Sequence, residues 1–234
     1  MSLPHPTHYQ TLEFAHVNAL MADWRKAQQG RLRVLDFGCG KGKFLHHFAA
    51  LGDEVVGVDT NPAYVQEALA KGIETYNSAA FFTTALAPFD VIFLSHLVEH
   101  LTPEQLVSLI PRLSALLAPA GRLIIISPTF GERFYHDFSH TRPFLPQSIR
   151  HAFGQTGAPI SFGETTLITL VDIYFFKDPY KTRSWRSFYF GHGLKRVFTR
   201  WLNRGFDLAW QLSGGRIGVT ASWLGVYQNL PRAG

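Results

Sequence analysis

Short runs of consecutive apolar residues alternate along this chain with stretches in which apolar positions recur at helical spacing, a beat that predicts an α/β fold on a parallel sheet. Leu12, Ala15, His16, Ala19, Leu20 and Trp24 place an opening helix over Tyr9 to Gln29, with Gly30 as its stop. Leu32 to Phe37 reads as a buried strand, Gly38 to Gly42 as a tight loop and Phe44 to Leu51 as a helix. A second strand over Asp53 to Asp59 leads into a helix over Ala63 to Lys71, opened by Pro62 and stopped by Gly72. Phe89 to Leu94 is a strand, Pro103 to Leu117 a helix and Gly121 to Ser127 another strand. Residues 128 to 146 carry Pro, Gly, His and aromatic residues without a period, as a functional or lid-like loop does. A short helix over Pro146 to Phe153, a strand over Leu167 to Phe176 and a last strand over Gly218 to Gln228 complete the reading.

Composition narrows the class. With 234 residues, 46% of them hydrophobic, the chain can bury a core and is not disordered. A single Cys excludes an internal disulfide framework and a multi-cysteine zinc site, and fits a reducing compartment. The opening MSLPHPTHYQ lacks a signal-peptide pattern and no apolar run is long enough to span a bilayer, so the expectation is a soluble, cytoplasmic chain. Charge is unevenly placed: residues 1–178 hold 13 Lys/Arg against 16 Asp/Glu, residues 179–234 hold 9 against 1. That shift suggests a domain of residues 1–178 and 218–234 interrupted by a basic aromatic insertion over 179–217.

The candidate chemistry begins at Val34-Leu35-Asp36-Phe37-Gly38-Cys39-Gly40-Lys41-Gly42, followed by a helix, a strand and Asp59. Glycines at a strand-to-helix turn bring backbone close to a ligand, and the helix start behind them offers unpaired amides. The spacing fits neither the G-x-G-x-x-G dinucleotide fingerprint, since position 43 is Lys, nor the phosphate loop. NAD and ATP are therefore disfavoured.

Asp36, Gly38, Gly40 and Gly42 instead resemble the first motif of class I S-adenosylmethionine (SAM)-dependent methyltransferases. Val56-Gly57-Val58-Asp59 is similar to that family's second strand with its ribose-binding acid, Phe89 to His96 to its fourth strand, and Gly121 to Ile126 to its fifth. The resemblance implies a Rossmann-like, seven-stranded, mostly parallel sheet whose last strand runs antiparallel, and SAM as cofactor with S-adenosylhomocysteine (SAH) as product. It also implies a cofactor site of Asp36, Gly38, Cys39, Gly40, Gly42, Asp59, Thr60, Asn77, Ser78 and Ser95. The acid that often holds the adenine after the third strand is absent, so that task falls to Asn77, Ser78 or main chain, with Phe81 either a ring contact or, with Phe82, core packing. Cys39 reads as a small filler, with no partner for thiolate chemistry.

Methyl transfer is a displacement aided by alignment, with a base needed only when the acceptor must lose a proton. His96, Glu99 and His100 form H-x-x-E-H, a zinc-protease pattern that fails here because the run begins at the mouth of a strand. Ubiquinone-type O-methyltransferases resemble this region with an acid in place of His96, which would imply a divalent metal at Glu99 and His100. The histidine disfavours a hard ion, so no metal ligand is assigned. In the alternative, Ser95 and His96 line the cofactor pocket while Glu99 and His100 open the next helix as a cap and a packing contact. Asp137-Phe138-Ser139-His140-Thr141-Arg142-Pro143-Phe144 is similar to a segment of methyltransferases in sugar and cell-envelope polysaccharide pathways. His140 is the candidate base, with Asp137 or Tyr135 orienting it or the acceptor and His96 as the further catalytic candidate.

In the insertion, Arg196, Arg200 and Arg204 recur every fourth residue while Leu194, Val197, Phe198, Trp201 and Leu208 take the other side. This basic amphipathic segment has three readings: a cap over the substrate cleft, peripheral contact with an anionic membrane through residues 185–210, or nucleic-acid binding, the last disfavoured. Gly191, Gly193 and Gly205 argue for bends in it. The expected function is O-methylation of a small polar or saccharide acceptor, with a membrane-linked acceptor included. The alternatives are an RNA methyltransferase and a non-catalytic SAM-binding or membrane-associated protein of the same fold.

Overall fold

The computed structural model describes residues 8–84, 86–131, 134–154, 168–190 and 192–229. Its strands are β1 (Arg33–Phe37), β2 (Glu54–Asp59), β3 (Glu74–Asn77), β4 (Phe89–Ser95), β5 (Leu117–Pro128), β6 (Ile168–Asp178) and β7 (Val219–Asn229). Its helices are α1 (His8–Gln28), α2 (Lys43–Ala50), α3 (Pro62–Ala70), α4 (Ser78–Phe81), α5 (Pro103–Ser114), α6 (Pro146–Phe153), α7 (Arg186–Tyr189) and α8 (Gly193–Leu212). The seven strands form one sheet in the order β3-β2-β1-β4-β5-β7-β6. The expected Leu167 start of β6 lies outside the described residues.

β1 lies inside the sheet, between β2 and β4, and its Val34, Leu35 and Phe37 are buried, as a strand covered on both faces requires. Leu35 pairs in parallel with Val56 of β2 on one side and Ile92 of β4 on the other, and all three are fully buried. β2 pairs in parallel with β3, and β4 with β5. The chain divides into two compact units, one of Met1–Ala19 and Phe175–Ser222, the other of Leu20–Tyr174 and Trp223–Gly234. In the larger unit, Leu35, Val56, Ile92, Leu94, Ile125 and Trp223 belong to one buried apolar cluster.

Three local details depart from the periodicity. α5 ends at Ser114 and β5 begins already at Leu117, where the sequence suggested helix to Leu117 and strand only from Gly121. Pairing decides this: Leu117 pairs with Phe89, the register then shifts, and Arg122 pairs with Val91. Gly121 permits the shift, since a Cβ there would stand 2.8 Å from the Ala118 carbonyl oxygen and 3.0 Å from that of Phe89. Gly205 also fails to break α8, which continues through it to Leu212, whereas Gly193 at the helix start takes φ of 66°. An interior glycine costs about 1 kcal/mol relative to alanine, and packing at Thr199 and Trp210, the helix's buried residues, outweighs it. Gly191 lies outside the described residues.

Candidate active site

Parallel strands deliver their C-terminal ends to a common edge, and here β2 and β3 end level with each other, Asp59 against Asn77. The loop after β1 turns sharply at this edge. Gly38, Gly40 and Gly42 have φ of 83°, 53° and 75°, the left-handed region that glycine enters without the Cβ penalty. The amides of Gly38 and Cys39 both donate to the Val58 carbonyl at 2.8 and 3.0 Å, tying the loop to β2. A Cβ at Gly40 would meet no atom within 4 Å, so its main chain faces open space.

Asp59 holds this loop rather than the following helix. Its Oδ2 accepts the Gly40 amide at 2.7 Å and its Oδ1 the Asn61 amide at 2.8 Å. The N-cap of α3 is Asn61, whose side chain accepts from the Ala63 amide. Each carboxylate oxygen of Asp59 keeps acceptor capacity beyond those bonds. Asn77 is more committed: its Oδ1 caps α4 through the Ala79 amide at 3.1 Å, and its Nδ2 donates to the Thr60 carbonyl at 3.3 Å. Thr60 and Asn77 are thus tied together beside Asp59, and Ser78 follows as the first residue of α4.

Asp36 is buried at the end of β1. Burial, reinforced by the nearby Asp59 charge, pushes its carboxyl up to about 7 against the pull of the Leu45 amide. The Cys39 thiol is pushed up to about 12 by burial and by the charges of Asp36 and Asp59. Its thiolate is scarcely populated at neutral pH, which fits a filler.

Beyond β4 the structure assembles a second group. His96 takes φ of 53°, uncommon for a residue with a Cβ and frequent at functional sites. Its Nδ1 lies 3.2 Å from Oε1 of Glu99. Glu99 is fully buried, and its Oε2 accepts the Ser127 hydroxyl at 3.2 Å. Glu99 and His100 belong to a single 3-10 turn, Val98–His100, and do not open the next helix. α5 is capped instead by Thr102, in a reciprocal box with Gln105.

The segment after β5 folds back onto this turn. The Thr141 amide donates to the Glu99 carbonyl at 2.8 Å and its hydroxyl to the Leu101 carbonyl at 2.7 Å. Trp223 Nε1 holds the far end through the Phe144 carbonyl at 2.9 Å. His140 and His100 meet edge to face, ring centroids 4.8 Å apart. His140 Nδ1 is 2.7 Å from the Phe134 carbonyl, so Nδ1 carries the proton and Nε2 is the basic nitrogen. Asp137 does not hydrogen-bond that ring: its Oδ1 accepts from the Ser139 amide and hydroxyl at 2.9 and 2.6 Å, and its Oδ2 is 3.8 Å from His140 Nε2. The Ser139 bonds hold Asp137 below the usual carboxylate range, so its charge is present at neutral pH. Because the Ser139 hydroxyl proton is given to Asp137, the contact of His100 Nδ1 with Ser139 at 3.1–3.2 Å is a donation from the ring. Ligand atoms of Glu99, His100 and His140 lie within 4.8 Å of one another.

The expected residues therefore form two groups, one around the glycine loop and one around His140. Ser95 ends β4 and His96 follows it directly, and Tyr135 is largely exposed. Ser127, Ser139 and Thr141 were not legible beforehand. Isolated hydroxyl residues carry no periodic signal, and their role follows from partners up to 42 positions away in sequence.

Residues 8–171 match the family described as a methyltransferase domain. The chain is 30% identical over 100 residues, 40% of its length, to the ubiquinone biosynthesis O-methyltransferase of Bradyrhizobium sp. strain ORS 278, covering 39% of that protein. It spans about two fifths of the length of the curated relatives it matches. Among solved structures, a SAM-dependent methyltransferase from Archaeoglobus fulgidus is similar with a TM-score of 0.56 at 21% identity, over 91% of this chain and 94% of that one. The N-methyltransferase NodS from Bradyrhizobium japonicum WM9, in complex with SAH, is similar with a TM-score of 0.57 at 13% identity, over 97% and 90%.

Proposed function

The chain belongs to the methyltransferase-domain family, and from that premise we propose that it moves the methyl group of SAM to a hydroxyl of a small polar or saccharide acceptor, leaving SAH. The described residues fit the cofactor. Gly40 offers backbone facing open space, and the half-buried Asp59 has oxygens able to take two hydroxyl hydrogen bonds beside it. Thr60, Asn77 and Ser78 border that point, and the buried Asp36, its carboxyl raised to about 7, lies behind the loop where a cationic ligand would draw it into its charged form. SAM, when bound, supplies the activated methyl group. The remaining work is alignment and deprotonation of the acceptor.

The observation that carries the acceptor side is the state of His140. With Nδ1 donating to Phe134, Nε2 is ready to take a hydroxyl proton as the oxygen forms its bond to the methyl carbon. The charge of Asp137, 3.8 Å from Nε2, favours the imidazolium that results. The likeness of residues 137–144 to sugar methyltransferases supports a saccharide, and the relative named as a ubiquinone biosynthesis O-methyltransferase supports transfer to oxygen.

Calorimetric titration with SAM and SAH tests the cofactor half: micromolar binding is expected, lost in Asp59→Ala. His140→Ala should lower turnover by about 10² or more while leaving SAM affinity within about twofold. Equal loss of both would assign His140 a purely structural task.

The proximity of Glu99, His100 and His140 supports a second reading. Both rings donate through Nδ1 to main chain or hydroxyl, so both Nε2 atoms and one carboxylate oxygen could ligate a soft or borderline divalent ion. Such an ion would supply charge for the acceptor oxygen, and His140 would then be a ligand. Metal analysis of the dialysed protein separates the two readings: stoichiometric metal lost in both His140→Ala and Glu99→Gln would favour the ion, and metal-free protein with full turnover would remove it.

A further inference from the structure

α8 shows its apolar side to solvent. Thr199, Asn203, Phe206 and Trp210, spaced four, three and four apart, face the rest of the smaller unit. Thr199 bonds the Ser187 hydroxyl at 2.8 Å, Asn203 accepts from the Thr182 amide at 2.9 Å, and Trp210 Nε1 donates to the Lys177 carbonyl at 2.8 Å. The opposite arc carries Leu194, Phe198, Trp201, Leu208 and Leu212, all more than half exposed and reaching 87% at Leu194. An ordinary amphipathic helix has the reverse arrangement, its apolar stripe inward. The periodicity of α8 alone could not separate the two cases, because a stripe looks the same whichever way it faces.

Charge surrounds that arc. Arg196, Arg200 and Arg204 run along one border and Lys195 lies beyond the other, as helical spacing dictates. In the unit, Met1–Ala19 and Phe175–Ser222 hold 9 Lys/Arg and 3 Asp/Glu. All three acids are engaged internally: Glu13 with the Ser222 hydroxyl, Asp178 with the Tyr9 amide, and Asp207 with Lys181. Next to the helix start, a recess of about 610 Å³ is lined by Trp185, Arg186, Ser187, Phe190, His192 and Lys195. A guanidinium, an ammonium and a hydroxyl rimmed by two aromatic rings suit a phosphate whose attached chains continue into an apolar phase.

We propose that the smaller unit docks on an anionic phospholipid bilayer, with α8 lying in the plane of the interface, its exposed apolar arc in the acyl boundary and its flanking arginines at the headgroups. The charge pattern selects this occupant. A second copy would bring the same arginine rows together, and a nucleic acid would meet aliphatic Leu194, Leu208 and Leu212 where it needs cations. Among the described residues no helix is long and apolar enough to cross a membrane, so the attachment is peripheral. It is independent of the acceptor, since its readout is binding.

The full chain is sedimented with phosphatidylglycerol–phosphatidylcholine vesicles and with phosphatidylcholine vesicles alone. Binding to the anionic vesicles is expected, weakening as salt rises, with little on the neutral ones. Trp201→Glu/Leu208→Glu and Arg200→Glu/Arg204→Glu should each weaken it at least about tenfold. These positions are exposed, and unchanged thermal melting and SAM titration certify the fold of the variants. The proposal is overturned if the wild type ignores anionic vesicles or if both variants bind as it does. It is equally overturned if light scattering shows a dimer that Trp201→Glu/Leu208→Glu dissolves, or if labelled RNA binds where vesicles do not.

Discussion

Asp36 shows how one residue can link the site to pH. Its carboxyl is raised to about 7 from the usual 3.8, chiefly by burial, so the folded chain holds a proton that the unfolded chain has released across most of that interval. The stability this proton contributes is complete below about pH 4 and is lost as pH rises through about 7. Asp36→Asn, neutral at every pH, should flatten that part of the stability profile, as urea midpoints at pH 5 and 8 would reveal. A cationic ligand beside Asp36 expels the same proton. SAM affinity should therefore rise between pH 6 and 8 in the wild type and stay level in Asp36→Asn; a pH-independent wild type would detach Asp36 from the cofactor.

At the scale of elements, the glycines separate what serves the ligand from what serves the sheet. Gly40 has φ of 53° and open space where a Cβ would go, so Gly40→Ala costs about 1 kcal/mol of backbone strain and inserts a methyl into the space proposed for the cofactor. Gly121 is closed in by the carbonyls of Ala118 and Phe89 at 2.8 and 3.0 Å. Gly121→Ala must push main chain apart at the bulge between β4 and β5, at a cost of about 2–3 kcal/mol. The expected outcome is a pair of opposites: Gly40→Ala melts near the wild type with SAM binding weakened at least about tenfold, and Gly121→Ala melts markedly lower. A Gly40→Ala protein that binds SAM normally would remove the loop from the cofactor site. The loop over 134–144 is a different kind of element, without a ladder of its own. It is held by Thr141 on Glu99 and Leu101 and by Trp223 on Phe144, which is how an aperiodic segment can position His140.

For the whole molecule, the strand order sets the function. Placing β1 between β2 and β4 brings the glycine loop, Asp59, Asn77 and Ser95 to one edge of one sheet, though they are spread over 58 positions of sequence from Gly38 to Ser95. The two compact units also differ in charge, 9 Lys/Arg against 3 acids in the smaller and 13 against 14 in the larger. The near-neutral unit carries the glycine loop, Asp59 and His140, and the cationic unit carries α8.

Much of this was legible in the chain itself, for a physical reason. Buried parallel strands need unbroken apolar runs, tight strand-to-helix turns need glycine, and an acid at the end of the next strand is fixed by local spacing; the sheet, the loop and Asp59 therefore follow from neighbours in sequence. What required the folded structure depends on contacts between distant segments or on the direction a surface faces. The Glu99 hub, the tautomer of His140, the early start of β5 and the outward turn of α8 are all of that kind. A local pattern states which residues lie on one face, and only packing decides whether that face meets the core or the surroundings.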